Sequence, residues 1–213
     1  MLSCPLCRLP LESNPTHVRC ANNHSFDRAK QGYLNLLPVQ HKASRAPGDN
    51  AEMVTARRAF LNGEHYAPIA DQLATIAQQL NPSTWLDIGC GEGFYTQHIA
   101  QALPNSTGYG IDVSKDAIRH SCQRSKQIHW LVASMDNLPL ADQSCDLITS
   151  IFSPITWPEA LRVMHSGSTL VRLGPASDHL IELREMLYDE VHPYDDSKHL
   201  KDAPHALHLE STQ

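Results

Sequence analysis

The 213-residue chain has no run of about 18 apolar residues, the length a helix needs to cross a bilayer, so no membrane span is expected. It shows no secretory leader: the opening MLSCPLCRLP has no apolar h-region. The six cysteines are therefore not read as a secreted disulfide framework, and a cytoplasmic protein is expected. Net positive charge is missing too. The formal charge of −6 argues, by itself, against a nucleic-acid partner. That charge is uneven. Residues 1–60 carry eight Lys and Arg against four acids, net +4, and the remainder is −10. A basic N-terminal third on an acidic body fits a localised anionic partner; ordinary charge scatter is the bland alternative.

Glycine is scarce, ten residues in all, yet three fall at alternate positions within Trp85–Thr96, WLDIGCGEGFYT. This reads as a buried parallel strand, a tight glycine turn and a helix opening at Phe94. Glycine is needed where a backbone takes unusual angles or approaches a ligand, and the helix start behind the turn presents free N–H groups. Dinucleotide folds space their glycines G-x-G-x-x-G. Here the register is G-x-G-x-G, with Asp87 ahead of it.

D-I-G-C-G-E-G resembles the first motif of class I S-adenosylmethionine (AdoMet) methyltransferases. The resemblance implies an α/β, Rossmann-like domain with AdoMet as cofactor. Asp87, Gly89, Gly91, Gly93, Tyr95 and Thr96 then belong to the cofactor site. Thr107–Asp112, TGYGID, reads as the second strand and ends in an acid that can accept hydrogen bonds from both ribose hydroxyls. Ser114 can cap the following helix itself, which leaves Asp112 for the cofactor. Ile128–Val132 is the third strand. The turn after it carries Asp136, in a position that flanks adenine in such enzymes.

The fourth strand, Cys145–Phe152, ends where the methyl group lies in this fold. It reads Ile151-Phe152-Ser153-Pro154. The [DN]-P-P-[YF] motif of exocyclic-amine methyltransferases is absent, and no cysteine stands at this end for pyrimidine C5 chemistry. Ring-nitrogen methylation needs neither. No catalytic base is assigned; Asp136 and Glu159 are the candidates. Asp146 is read as structural. Ser168–Leu173 is the fifth strand, and His165-Ser166-Gly167 precedes it where a Pro-Gly-Gly turn is usual.

The first residues form C-x2-C-x12-C-x3-H: Cys4, Cys7, Cys20 and His24. Two short-spaced pairs brought together by a loop suit tetrahedral Zn²⁺ with no open position, hence a structural site. About two dozen residues build no core alone, so the metal supplies folding energy. A redox C-x-x-C lacks its βαβ context here; His17 is the alternative fourth ligand. Downstream, basic residues (Arg28, Lys30, Lys42, Arg45, with His41) interleave with Phe26, Tyr33 and Leu34, Leu36 and Leu37. Basic groups can meet phosphates and aromatics can stack on bases. For the apolar residues, packing the metal module onto the main domain is favoured. Asp49 with Glu52 suggests a capping box for a helix ending at Gly63. Ile69, Leu73, Ile76 and Leu80 mark another.

The C-x2-C…C-x3-H module, FDRAKQGYLNLLPVQHK, SRAPGD, AEM and ARRAFLNGEHY together resemble the bacterial large-subunit ribosomal RNA guanine-N1-methyltransferases, from Cys4 to about Glu190. The resemblance implies methylation of guanine N1 in a hairpin loop of 23S ribosomal RNA, with Tyr66 against AdoMet, His179 at the pocket edge and a homodimer. The expected units are a zinc module at 1–36, a basic connector at 37–66, the AdoMet domain at 67–191 and a flexible tail at 192–213. Five strands are legible where such a sheet normally has seven, so the domain is read as C-terminally incomplete, with a strand edge that needs cover. Two rival readings stay open: a small-molecule methyltransferase with a zinc appendage, and a non-catalytic relative that binds AdoMet or RNA.

Overall fold

The computed structural model describes residues 2–39 and 47–191, with Ala203 and Leu207. His41, Lys42 and Arg45 and nearly all of the 192–213 tail lie outside the described residues. The small sheet is an antiparallel meander of β1 (Glu12–Ser13), β2 (His17–Arg19) and β3 (Ser25–Asp27). The large sheet contains β4 (Leu34–Asn35), β5 (Thr84–Ile88), β6 (Thr107–Asp112), β7 (His129–Val132), β8 (Cys145–Ile151) and β9 (Met164–Leu173). All its pairings are parallel, in the order β4-β7-β6-β5-β8-β9. The helices are α1 (Ala51–Asn62), α2 (Ala67–Leu80), α3 (Phe94–Ala102), α4 (Lys115–Arg124), α5 (Trp157–Val163) and α6 (Ile181–Leu187). No helix among the described residues is long and apolar enough to cross a membrane.

The five expected strands are present, and a sixth joins them. Leu34 and Asn35 pair with Leu131 and Val132, so the stretch read as a zinc module also supplies an edge strand of the main sheet. Strand order reverses at β5: β6 and β7 lie to one side and β8 and β9 to the other. A reversal of this kind opens a crevice at the carboxyl ends of the central strands.

Period-two alternation decides what each face buries. Trp85, Trp130, Val132 and Leu147 join Leu73 and Ala77 of α2, Ile99 of α3 and Ile118 and Cys122 of α4. Leu86, Ile88, Ile111, Leu131 and Ile148 join Ala160 and Val163 of α5. The second face is shared with Cys4, Leu11, Val18 and Cys20, so the cysteine module caps the sheet. Phe26, Leu34 and Leu36 pack into the same cluster, the packing role expected of them. Tyr33 and Leu37 join the first face.

Three local details differ from the sequence expectation. The α1 cap is Asn50, whose side chain accepts from Met53 N at 2.9 Å; Asp49 instead pairs with Arg57. The buried stripe of α2 is Ala70, Leu73 and Ala77, rotated away from Leu80, and these small residues face α3. The unusual His165-Ser166-Gly167-Ser168 is a bulge within β9: register slips between Cys145 and Leu147, and Gly167 takes φ +92°. Asp146 holds the bulge through His165 Nε2 (2.8 Å) and accepts from Ser83 N and Thr84 N, the structural role expected of it.

Candidate functional site

The N-terminal donors converge. The Sγ atoms of Cys4, Cys7 and Cys20 and a ring nitrogen of His24 all lie within 4.8 Å of one another. Cys7 and Cys20 sulfurs are 3.6 Å apart, and His24 Nδ1 is 3.5 Å from the sulfurs of Cys4 and Cys20. Ligand–ligand edges of roughly 3.6–3.8 Å are what Zn–S bonds near 2.3 Å and a tetrahedron require. The donor set therefore fits zinc, with Cys4 and Cys20 fully buried. His17 stands apart on β2, against Thr16 Oγ1, so the fourth ligand is His24.

At the crevice, β5 delivers the glycine turn. Its glycines all take positive φ, but for different reasons. A Cβ at Gly89 would collide with the Ser153 side chain, and one at Gly93 would come within 2.7 Å of Trp130 and 2.9 Å of Ser121. A Cβ at Gly91 would meet nothing within 4 Å. Gly89 and Gly93 are thus fixed by packing, while Gly91 turns its open face outward. Its N–H donates to Asp112 Oδ2 (3.0 Å), and Ser114 N donates to Oδ1 (2.7 Å). Burial raises the Asp112 carboxyl and these two N–H groups oppose the rise. Each oxygen keeps lone-pair capacity for a hydroxyl. Ser114 caps α4 through Ala117 N, as expected, and donates to Asp49 O at the foot of α1.

Asp87 and Thr96 do not face the crevice. Both are buried; Thr96 Oγ1 donates to Asp87 Oδ2 at 2.5 Å and Thr149 Oγ1 donates to Oδ1 at 2.8 Å. They tie β5, α3 and β8 beneath the turn. Burial pushes the Asp87 carboxyl up to about 6; the two hydroxyls oppose the rise and Asp112 adds to it. A carboxyl raised on folding favours the folded state below its unfolded value of 3.8, and that contribution is lost as pH rises through about 6. Relative to Asp87→Asn, the wild type should therefore lose roughly 3 kcal/mol of stability between about pH 4 and pH 6. Urea melts of both proteins across that range check this; parallel pH curves would contradict it.

Sequence reasoning missed Glu92. Its carboxylate is buried inside the turn and held by Arg124 at 2.5 and 2.8 Å. Arg124 also reaches Asn62 Oδ1 (2.8 Å) and lies 5.4 Å from the Phe94 ring centroid. One guanidinium so joins the turn, α1 and α3. The acid between two glycines was the available signal, but its partner is 32 residues away.

Tyr66 begins α2 without a side-chain cap and meets Phe60 (5.5 Å) and Phe152 (6.0 Å). Tyr95 and His179 each place their rings 6.3 Å from Phe152. Three of the expected cofactor-site residues, Tyr66, Tyr95 and His179, are therefore gathered around Phe152, at the end of β8. Burial, then Tyr66, raises the Tyr95 phenol, which stays protonated at neutral pH.

The two candidate bases sit in different settings. Asp136 is exposed, and its oxygens accept from Ser134 Oγ (3.2 Å) and Thr156 Oγ1 (2.5 Å), linking the loops after β7 and β8. Glu159 lies on the sheet face capped by the cysteine module. It accepts from Leu138 N (2.7 Å), from Arg8 (3.0 and 3.2 Å) and from Arg162 (2.8 and 2.9 Å). Against the upward push of burial, the bonds from Arg162, Arg8 and Leu138 hold its carboxyl below the usual value. Glu159→Gln should cost about 1–3 kcal/mol of stability, because the arginines lose charge-assisted bonds. A denaturant melt checks the loss, and an unchanged melt would contradict this clamp. A cavity of about 520 Å³ at the opposite end of β5 and β6, lined by Asn81, Ser83 and Ser106, includes none of the candidate residues.

A zinc-ribbon family model described as "RlmA, N-terminal" matches residues 2–45, and one described as "Methyltransferase domain" matches residues 86–172. The solved structure of a SAM dependent methyltransferase from Aquifex aeolicus superposes with a TM-score of 0.53 at 17% identity, covering 73% of this chain and 88% of that chain; the likeness is one of fold. The reversed parallel sheet, the glycine turn and Asp112 define a Rossmann-like, AdoMet-dependent methyltransferase domain, here carrying a zinc ribbon. The 23S rRNA (guanine(748)-N(1))-methyltransferase of Streptomyces fradiae is 36% identical over 191 residues, covering 87% of this chain and 67% of the relative. YxjB of Bacillus subtilis (strain 168) is 33% identical over 201 residues, covering 89% of this chain and 70% of the relative. The chain belongs to the 23S rRNA (guanine-N1)-methyltransferase family.

Proposed function

We propose that this chain transfers a methyl group from AdoMet to N1 of a guanine in a hairpin loop of 23S ribosomal RNA, in the cytoplasm. The observation that carries the reading is the 36% identity, over 87% of the chain, to a relative of that printed activity. AdoMet, when bound, supplies the methyl group as an electrophile on sulfonium. Asp112 accepts from its ribose hydroxyls, and the open face of Gly91 lets the backbone approach it. Tyr66, Tyr95 and His179 line the rim. Gly89, Gly93, Asp87 and Thr96 set the turn from beneath, and Asp136 ties the loop on the adenine side. Guanine N1 gives up its proton as it takes the methyl group; no side chain is assigned to accept it. Of the two candidates Glu159 is fully engaged by Leu138 N, Arg8 and Arg162, while exposed Asp136 keeps lone-pair capacity on both oxygens. Positioning and exclusion of water carry the rate.

In this reading Cys4, Cys7, Cys20 and His24 hold structural zinc, and the ribbon presents exposed Arg19 and Lys30 to phosphates. Arg8, Arg57 and Arg58 are engaged within the protein, with Glu159, Asp49 and His120 respectively. The proposed units are residues 1–36, 37–66, 67–191 and 192–213, with β4 as the strand that binds the first to the third. A homodimer covering the β9 edge completes the picture. The test offers labelled AdoMet and zinc-loaded full chain both undermethylated 23S rRNA and a pool of small metabolites. Label in RNA alone is expected; label in the metabolites alone sinks the reading.

A further inference from the structure

Phe152 occupies a position that packing does not explain. It follows β8 directly, beside the crevice, and takes φ +52°, a left-handed conformation unfavourable for a bulky residue. Its neighbours Ser150 and Ile151 are buried, yet Phe152 is 41% exposed. The backbone is fastened on both sides. Phe152 N donates to Leu173 O at 2.8 Å, Ser150 Oγ donates to Ser153 O at 2.9 Å, and the Ser153 side chain abuts Gly89 of the glycine turn. Three rings from three separate segments then approach the phenyl ring. Tyr66 meets it at 73°, Tyr95 at 50° and His179 at 31°. A strained, partly exposed aromatic, held rigid by its neighbours at the end of the strand beside the cofactor turn, is built to present a π surface.

We propose that Phe152 is the platform on which the target base stacks once it leaves its RNA stack, with Tyr66 and Tyr95 holding the ring in place. The proposal rests on the RNA-methyltransferase reading above. A flipped base needs a flat partner to replace its lost stacking neighbours. Phe152 is a positioning residue: it takes no proton and forms no bond.

The test uses zinc-loaded full chain, saturating AdoMet and the 23S rRNA hairpin, with Phe152→Leu and Phe152→Tyr as the pair of variants. Phe152→Leu should slow single-turnover methyl transfer by about 10- to 100-fold, the worth of one base–aromatic stack. Saturating AdoMet keeps any change in cofactor affinity out of the measured rate, zinc content should stay at one ion per chain, and Phe152→Tyr should restore most of the rate. A second readout places 2-aminopurine at the target position without methyl transfer. The wild type and Phe152→Tyr should quench its fluorescence, and Phe152→Leu should not. Equal rates for wild type and Phe152→Leu, or equal quenching by both, overturns the platform. Transfer of no methyl group to RNA by the wild type, with quenching still dependent on an aromatic at 152, would count against the methyltransferase reading and leave the platform standing.

Discussion

Cys4→Ser or Cys20→Ser should abolish zinc binding and destabilise the whole chain, beyond the ribbon. The free energy of a structural zinc site is folding free energy, about 10 kcal/mol or more in zinc-finger peptides. Here the two cysteines are also part of the apolar cluster that covers one face of the main sheet, with Leu86, Ile88, Leu131 and Ile148. The ribbon is fastened further by the Leu2–Leu140 bridge, by Arg8 on Glu159 and by β4 on β7. Unfolding the ribbon therefore uncovers that face. A loss of at least about 5 kcal/mol is expected, which lowers the melting temperature by roughly 10–20 °C in a chain of this size. Zinc content by mass spectrometry should fall from one ion per chain to none, and His17→Ala should change neither quantity. A chelated protein that melts with the loaded one would contradict this account. The same packing means that deleting the N-terminal residues is no clean test of RNA binding. Neutralising Arg19 and Lys30 is the better one.

Asp112→Ala should weaken AdoMet binding by about 10²- to 10⁴-fold, since hydrogen bonds to a charged group contribute about 1.5–3 kcal/mol each and two ribose hydroxyls lose theirs. The change also frees Gly91 N and Ser114 N, the two donors that the carboxylate holds. Zinc content and far-UV circular dichroism should stay as in the wild type. Calorimetric titration with S-adenosylhomocysteine measures the effect. An affinity within threefold of wild type would mean that Asp112 is not the ribose anchor.

Much of this site was legible because its signals are local. The glycine turn, Asp112 and the four zinc donors each sit in short segments whose spacing already constrains the geometry. What was not legible depended on partners distant in sequence. Asp87 and Thr96 read as ligand contacts until Thr149, 62 residues from Asp87, completes their buried triad. Glu159 read as a candidate base, but Arg8, 151 residues away, occupies it. β4 is two residues long and has no periodicity to detect. The α1 cap moved by one residue because Asp49 and Asn50 are both good caps, and Arg57 claims the first. Phe152 stood in a motif noted mainly for what it lacked, and only the convergence of Tyr66, Tyr95 and His179 gives it a part.

The most direct test of the central claim incubates zinc-loaded full chain with labelled AdoMet and 23S rRNA lacking its methyl groups, then maps the modified nucleoside by mass spectrometry. One N1-methylguanosine in a hairpin loop is the predicted result. A methyl group on another base, or no transfer by protein that still binds S-adenosylhomocysteine and holds one zinc, would contradict it.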